Sequence, residues 1–148
     1  MQREVYCLTV SSPSEIPWNE LRERARRASV GSYSPYSKVR VGACGYTTDG
    51  QYVVGANVEN ASFGLTLCAE CSLVSDLIRL GGGRLAAVSI VAGDDKPIAP
   101  CGRCRQVLYE HGGATMLVDY GPDEPARELR ELLPDPFGPV DLDSRKSS

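Results

Sequence analysis

The 148 residues carry 42% hydrophobic and 24% charged side chains, a formal net charge of -3 and a pI of about 5.2. This is the composition of a soluble globular domain long enough to bury a core, read as one domain over 1–148 with an ordered core from about 14 to 140. It speaks against a basic nucleic-acid surface and, with no apolar run of sufficient length, against a membrane-spanning helix. The six cysteines follow no secretory leader and read as reduced thiols of a cytoplasmic protein, not as a disulfide framework.

Residues 1–13 carry little signal, and Ser12-Pro13-Ser14 can open a turn. From about Pro17 to Val30 the spacing is helical, with Trp18, Leu21, Ala25 and Ala28 on one stripe and Pro17 suited to the first helical position. Arg22, Arg24, Arg26 and Arg27 are interleaved with Glu20 and Glu23, which reads as a solvated face before an anion-binding one. Gly31 closes the helix. Ser32 to Ser37 is then a loop, because Pro35 pushes its predecessor out of the helical region.

Val39 to Tyr46 and Gln51 to Val58 read as two strands joined at Thr48-Asp49-Gly50. Asn57-Val58-Glu59-Asn60 ends the second strand. Its polar side chains suit a ligand, although such residues are also ordinary turn formers. A helix is predicted from about Leu67 to Leu80, buried along Leu73, Val74, Leu77 and Ile78 and ended by Gly81-Gly82-Gly83. Leu85 to Val91 is a buried strand, Cys101 to Glu110 a helix, Ala114 to Asp119 a short strand and Ala126 to Leu132 a short helix. The tail from Asp141 to Ser148 reads as disordered. Strands alternating with helices argue for an α/β fold with helices packed on a sheet.

Two stretches carry the chemistry: Cys68-Ala69-Glu70 and Pro100-Cys101-Gly102-Arg103-Cys104. Three thiolates with a fourth position open to water is the pattern of catalytic zinc, whereas four protein ligands make a closed structural site. Both stretches fall at predicted helix starts, where unpaired N–H groups and the helix dipole favour thiolate. Cys101 and Cys104, at i and i+3, share one helix face. Zinc activates water at neutral pH, and Glu70 is close enough in sequence to move its protons. On an ideal helix positions 68 and 70 point nearly opposite ways, so this placement depends on where the helix begins. Pairing Cys68-x-x-Cys71 with Cys101-x-x-Cys104 would instead make a closed four-cysteine site. The 29 residues between the pairs exceed the usual zinc-ribbon gap, and Glu70 would be an odd neighbour for four thiolates. Cys7 and Cys44 read as small core or surface residues, and His111, at a helix C-terminus, as structural.

At these residues the chain resembles cytidine deaminases of the homotetrameric, zinc-dependent type, whose signature is a histidine or cysteine, then x-Glu, then Pro-Cys-x-x-Cys. The likeness runs from about Tyr33 to Phe137. It includes Tyr36-Ser37-Lys38, Val41-Gly42-Ala43, Asn57-Val58-Glu59-Asn60-Ala61, Cys104-Arg105-Gln106-Val107 and Leu132-Leu133-Pro134. The resemblance implies a three-layer α/β/α fold with a central mixed sheet flanked by helices. It also implies hydrolytic deamination of cytidine or deoxycytidine, as in pyrimidine salvage. Cys68, Cys101 and Cys104 would bind one zinc ion per subunit, with Glu70 as proton shuttle. Asn57 and Glu59 would bind the ribose hydroxyls, and the Ala69 N–H the base carbonyl. Phe137 would reach a neighbouring subunit's site, so that a homotetramer completes each site.

Two positions depart from the family pattern. Val39 stands where the family usually has phenylalanine against the pyrimidine; losing the aromatic face is worth about 0.5–1.5 kcal/mol beyond area. Cys71 stands where many members carry an arginine on the zinc-bound thiolates, and Arg103 could supply that missing charge compensation. The segment Pro100 to Leu108 also resembles blasticidin S deaminase, which acts on an aminoacylated cytosine nucleoside, whereas Asn57-Val58-Glu59-Asn60 favours plain cytidine.

Overall fold

The computed structural model describes residues 15–146. Cys7 and the turn expected at 12–14 lie outside them. The first helix, α1 (Trp18–Val30), buries Leu21, Ala25 and Ser29. Its arginines are largely partnered at home: Arg24 pairs with Glu20 at 2.6 Å, and Arg26 and Arg27 with Glu23 at 2.6 and 2.9 Å. Arg26 also meets Asp95 at 3.3 Å, and Arg22 reaches across the fold to Asp119.

Two strands follow, β1 (Gly42–Thr47) and β2 (Tyr52–Ala56), paired antiparallel from Gly42↔Ala56 to Tyr46↔Tyr52. Their turn closes at Gly50, whose φ of +83° suits glycine. After α2 (Ala69–Arg79) comes β3 (Leu85–Val91), antiparallel to the other side of β1. After α3 (Gly102–Gly112) come β4 (Leu117–Val118), parallel to β3, and β5 (Arg127–Glu128), antiparallel to β4. Two short helices, α4 (Leu129–Leu132) and α5 (Pro139–Asp143), complete the order. The sheet runs β2-β1-β3-β4-β5 and is mixed.

Alternation along the strands divides the core into two layers. Ala43, Val88 and Ile90 face α2 and α3 and join Val53, Leu73, Leu77 and Leu108. Cys44, Ala87 and Val91 face the opposite way and meet Ile16, Leu21 and Ala25. The result is the expected three-layer α/β/α arrangement, with α1 on one face and α2 and α3 on the other. The outer edge of β2 is capped, since the Val54 N–H donates to the Asp76 carboxylate of α2 at 3.1 Å.

Several boundaries differ from the sequence reading. Pairing of β1 begins at Gly42, not Val39, because residues 39–41 are bound to a side chain. The Val41 N–H donates to Asn57 Oδ1 at 2.9 Å, and Asn57 Nδ2 donates to the Val39 carbonyl at 3.0 Å. The strand expected at 114–119 shortens to two residues. The helix expected over 126–132 gives up Arg127 and Glu128 to an added strand, a pairing that only a spatial neighbour can supply. The last helix, α5, is started by Pro139 and by the Asp141 carboxylate accepting the Gly138 N–H at 2.8 Å, and runs to Asp143, within the first residues of the tail.

Asp119, directly after β4, ties α1 to the sheet. Only 2% exposed, it accepts two hydrogen bonds from Arg22, at 2.8 and 2.7 Å, one from Ser89 Oγ at 2.7 Å and one from the Gly121 N–H at 3.0 Å. Asp119→Ala would take the acceptor from a partly buried guanidinium, from the buried Ser89 hydroxyl and from the Gly121 N–H, and is expected to cost about 3 kcal/mol. Ser89→Ala removes one neutral donor and should cost about 1 kcal/mol. Urea denaturation of the two variants measures both, and near-equal losses would contradict the assignment.

Candidate active site

The site is built on two helix starts. Cys68 and Cys101 are the N-cap residues of α2 and α3, both with extended backbone, at ψ 159° and 167°. Neither therefore follows helical geometry, and this resolves the difficulty posed by the spacing of 68 and 70. Cys68 lies ahead of the first turn, Glu70 lies within it, and the two line one pocket. Gly55 sets the seat of α2. A Cβ there would overlap the Ala69 carbonyl oxygen and the Leu73 nitrogen, so the first turns of α2 rest directly on the backbone of β2. Gly42 does the same for α1 on the other face, opposite the Ala25 carbonyl and the Ser29 nitrogen.

The Sγ atoms of Cys68, Cys101 and Cys104 all lie within 4.8 Å of one another, with Cys68 and Cys101 at 3.9 Å. Tetrahedral zinc with Zn–S bonds of about 2.3 Å requires sulfurs about 3.8 Å apart. The donor set fits the ion in kind and spacing. Cys71 is not in this group, so the closed four-cysteine arrangement does not form.

Burial governs the charges. It pushes the Glu70 carboxyl, 4% exposed, above its usual range, against hydrogen bonds from its own N–H and from Cys104. Burial likewise raises Cys68 and Cys104, Cys104 also feeling the Glu70 charge. At Cys101 burial acts upward too, but hydrogen bonds from the Cys104 N–H and from the other two thiols outweigh it, and the thiol lies below its ordinary value. Of the two helix starts expected to favour thiolate, only that at the exposed Cys101 has its thiol lowered, and there the two neighbouring thiols assist the backbone N–H. A bound cation is what makes three thiolates stable together. Arg103 contributes from α3: its Nη2 donates to the Thr66 carbonyl at 2.9 Å and lies 3.6 Å from Cys68 Sγ, and that sulfur raises its pKa.

Cys68, Ala69, Glu70 and Cys101 line a pocket of about 190 Å³ together with Asn57, Val41, Thr66, Leu67, Ile98 and Ala99. Helix geometry leaves the Ala69 N–H without an intrahelical acceptor. Val39, Glu59 and Phe137 lie outside this lining. Val39 and Phe137 are about half exposed, at 48% and 54%, and Gln106 Nε2 holds the Phe137 carbonyl at 2.7 Å. Glu59 accepts the N–H of Tyr36 at 2.8 Å, the N–H of Ser37 and the Ser37 hydroxyl. These bonds, the hydroxyl first, hold its carboxyl below the usual range.

Sequence reasoning missed three apolar wall residues, Val41, Ile98 and Ala99, and one brace. Arg105 donates to the Pro100 carbonyl at 2.9 Å and to the Leu132 carbonyl at 2.8 Å, fixing the loop that delivers Cys101. An arginine just past a Cys-x-x-Cys pair was the available signal, but its acceptors are backbone oxygens, which sequence does not reveal.

Gly55→Ala is expected to cost about 1–3 kcal/mol and to loosen zinc, because the backbone of α2 must move. Gly64→Ala, with nothing within 4 Å of its would-be Cβ, is the control. Thermal melts and competition with a chromogenic chelator read the two effects, and equal zinc retention in both variants would count against the seat at Gly55.

Comparison with known proteins agrees with this geometry. Residues 18–119 match the family model of the cytidine and deoxycytidylate deaminase zinc-binding region. The chain is 53% identical over 128 residues to a cytidine deaminase of Mycobacterium tuberculosis, covering 86% of this chain and 95% of that one. The crystal structure of a cytidine deaminase from M. tuberculosis superposes with a TM-score of 0.80 at 52% identity, covering 84% of this chain and 99% of the other. That from Mycobacterium leprae gives 0.79 at 46%, covering 82% and 100%. With its three-thiol cluster, buried glutamate and matching fold, the chain belongs to the cytidine and deoxycytidylate deaminase family of enzymes.

Proposed function

We infer that the chain hydrolytically deaminates cytidine and deoxycytidine to the uridine nucleosides and ammonia. The observation that carries this is a cluster of three thiols, two of which, Cys68 and Cys101, line a pocket of about 190 Å³ together with the buried Glu70 carboxyl. Cys68, Cys101 and Cys104 would hold one zinc ion per subunit. When bound, zinc supplies Lewis-acid activation of water at neutral pH. Glu70 takes one proton from the attacking water and passes it to the ring nitrogen beside the reacting carbon, then takes the second from the added hydroxyl and gives it to the amine as the C–N bond breaks and the new carbonyl forms. Its upward-shifted pKa suits a group that must both accept and return a proton. The Ala69 N–H meets the base carbonyl and Val41 and Ile98 wall the ring, with Val39, outside the lining, in the family's aromatic position. Arg103 offsets thiolate charge in the place of the arginine that many relatives carry at position 71.

Asn57 and Glu59 are read as the sugar contacts, using the hydrogen-bonding capacity that the loop 32–41 leaves them. The chain acts as one domain in a homotetramer, with Phe137 serving a neighbouring site. Large apolar side chains left exposed, including Phe63 and Leu65, support such an assembly. Free thiols at all five described cysteines support a reducing, cytoplasmic setting. Among the described residues no helix is long and apolar enough to cross a membrane. The acidic pI favours a free nucleoside over a polynucleotide substrate.

Ultraviolet absorbance of zinc-loaded protein with cytidine and with deoxycytidine tests the reaction. Glu70→Gln should lower kcat by about 10²–10⁴-fold with zinc still bound. A variant that keeps its rate would remove the proton shuttle. Arg103→Ala should release zinc to a chelator faster than wild type, at about tenfold lower affinity, the scale of a lost partner just outside the ligand shell. Unchanged zinc affinity and activity would remove Arg103 from the metal's surroundings.

A further inference from the structure

Three donors of one loop converge on the Glu59 carboxylate. Tyr36 gives its N–H to Oε2, Ser37 shares its N–H between both oxygens at 3.3 and 3.2 Å, and the Ser37 hydroxyl donates to Oε1. The two N–H bonds need no particular side chain. The hydroxyl bond does. Ser37 Oγ also accepts the Val39 N–H at 3.0 Å, which closes the turn through Lys38 at φ +63°. That left-handed conformation is disfavoured for lysine by about 1–2 kcal/mol, and the bond across it helps hold it. The Val39 carbonyl then receives Asn57 Nδ2. One hydroxyl therefore stands at the junction of Glu59, Val39 and, through Val39, Asn57.

We propose that Ser37 is a positioning residue for the nucleoside sugar, fixing the rotamer of the Glu59 carboxylate. The proposal rests on the reading of Glu59 as a sugar contact. A carboxylate offers about four lone-pair sites, and the loop's donors take most of them, leaving room for a substrate hydroxyl in one direction. Glu59 is solvent-facing, so without the Ser37 hydroxyl its long side chain regains rotamer freedom that substrate binding must remove again. The loss falls on substrate and transition state alike, because the sugar does not react, and so appears in KM and not in kcat.

Ser37→Ala is expected to raise KM for cytidine about five- to tenfold, the scale of one hydrogen bond, with kcat within about twofold. Ser37→Thr, which keeps the hydroxyl, should restore KM. On 2′,3′-dideoxycytidine, which lacks both sugar hydroxyls, Ser37→Ala and wild type should behave alike. In a Glu59→Gln background Ser37→Ala should add less than about twofold, since coupled residues are not additive. A merely structural role would affect the dideoxynucleoside equally and add in full to Glu59→Gln. Any of those results, or an unchanged KM in Ser37→Ala, overturns the proposal. An unchanged KM in Glu59→Gln would remove the sugar contact itself and the proposal with it. A raised KM there with a normal KM in Ser37→Ala removes the proposal alone.

Discussion

The backbone of α2 lies against the backbone of β2 at Gly55, with no side chain between them. This contact fixes the height and direction of the helix whose N-cap is Cys68 and whose first turn holds Glu70. The third and second sulfurs come from α3, which packs beside α2 on the same face of the sheet. A metal site needs its ligands placed to a few tenths of an ångström, and a close-packed interior transmits any shift of the helix to the sulfurs. The sheet thus acts as the ruler from which both helix starts are measured.

That geometry creates an electrostatic problem. Burial of Glu70 and Cys104 raises their pKa values, and each carboxylate or thiolate that ionises makes the next harder to ionise. The helix starts help, but they favour charge mainly at the exposed Cys101. The remaining cost is offset by a divalent cation and by the Arg103 guanidinium beside Cys68. Arg103 also grips the Thr66 carbonyl, so one side chain both offsets charge and ties α3 to the strand-like segment that delivers Cys68.

What could be read from sequence follows from the range of each signal. The cysteine spacing, the glycine stops and the helical stripes of α1 and α2 are local, and they located the elements and the three thiols that cluster. Strand limits at 39–41 and 127–128 depend on which backbone groups find partners, and those partners lie elsewhere in the chain: Asn57 for the first, β4 for the second. The same reason hid Arg105, whose acceptors are carbonyls at 100 and 132. Asn57 and Glu59 were visible as polar residues at a strand end, but not their grip on the preceding loop. Both roles proposed for them, turn former and ligand contact, had looked like alternatives. The structure gives them the first without removing the second.

With the sugar contacts proposed above, this double use has a thermodynamic consequence. A side chain that must bind a sugar but is free in solution loses rotamer entropy at each binding event. Here folding has already confined it. Asn57 is pinned by Ser32, Val39 and Val41, and Glu59 by Tyr36 and Ser37. The loop is in turn shaped by these same two residues, down to the left-handed turn at Lys38. Loop and contact residues order each other, so the strain at Lys38 is carried by the folded protein before substrate arrives. Supporting hydrogen bonds of this kind let a site on a loop approach the precision of one on a helix. They complement the rigid side of the pocket, where Cys68, Ala69 and Glu70 ride on α2.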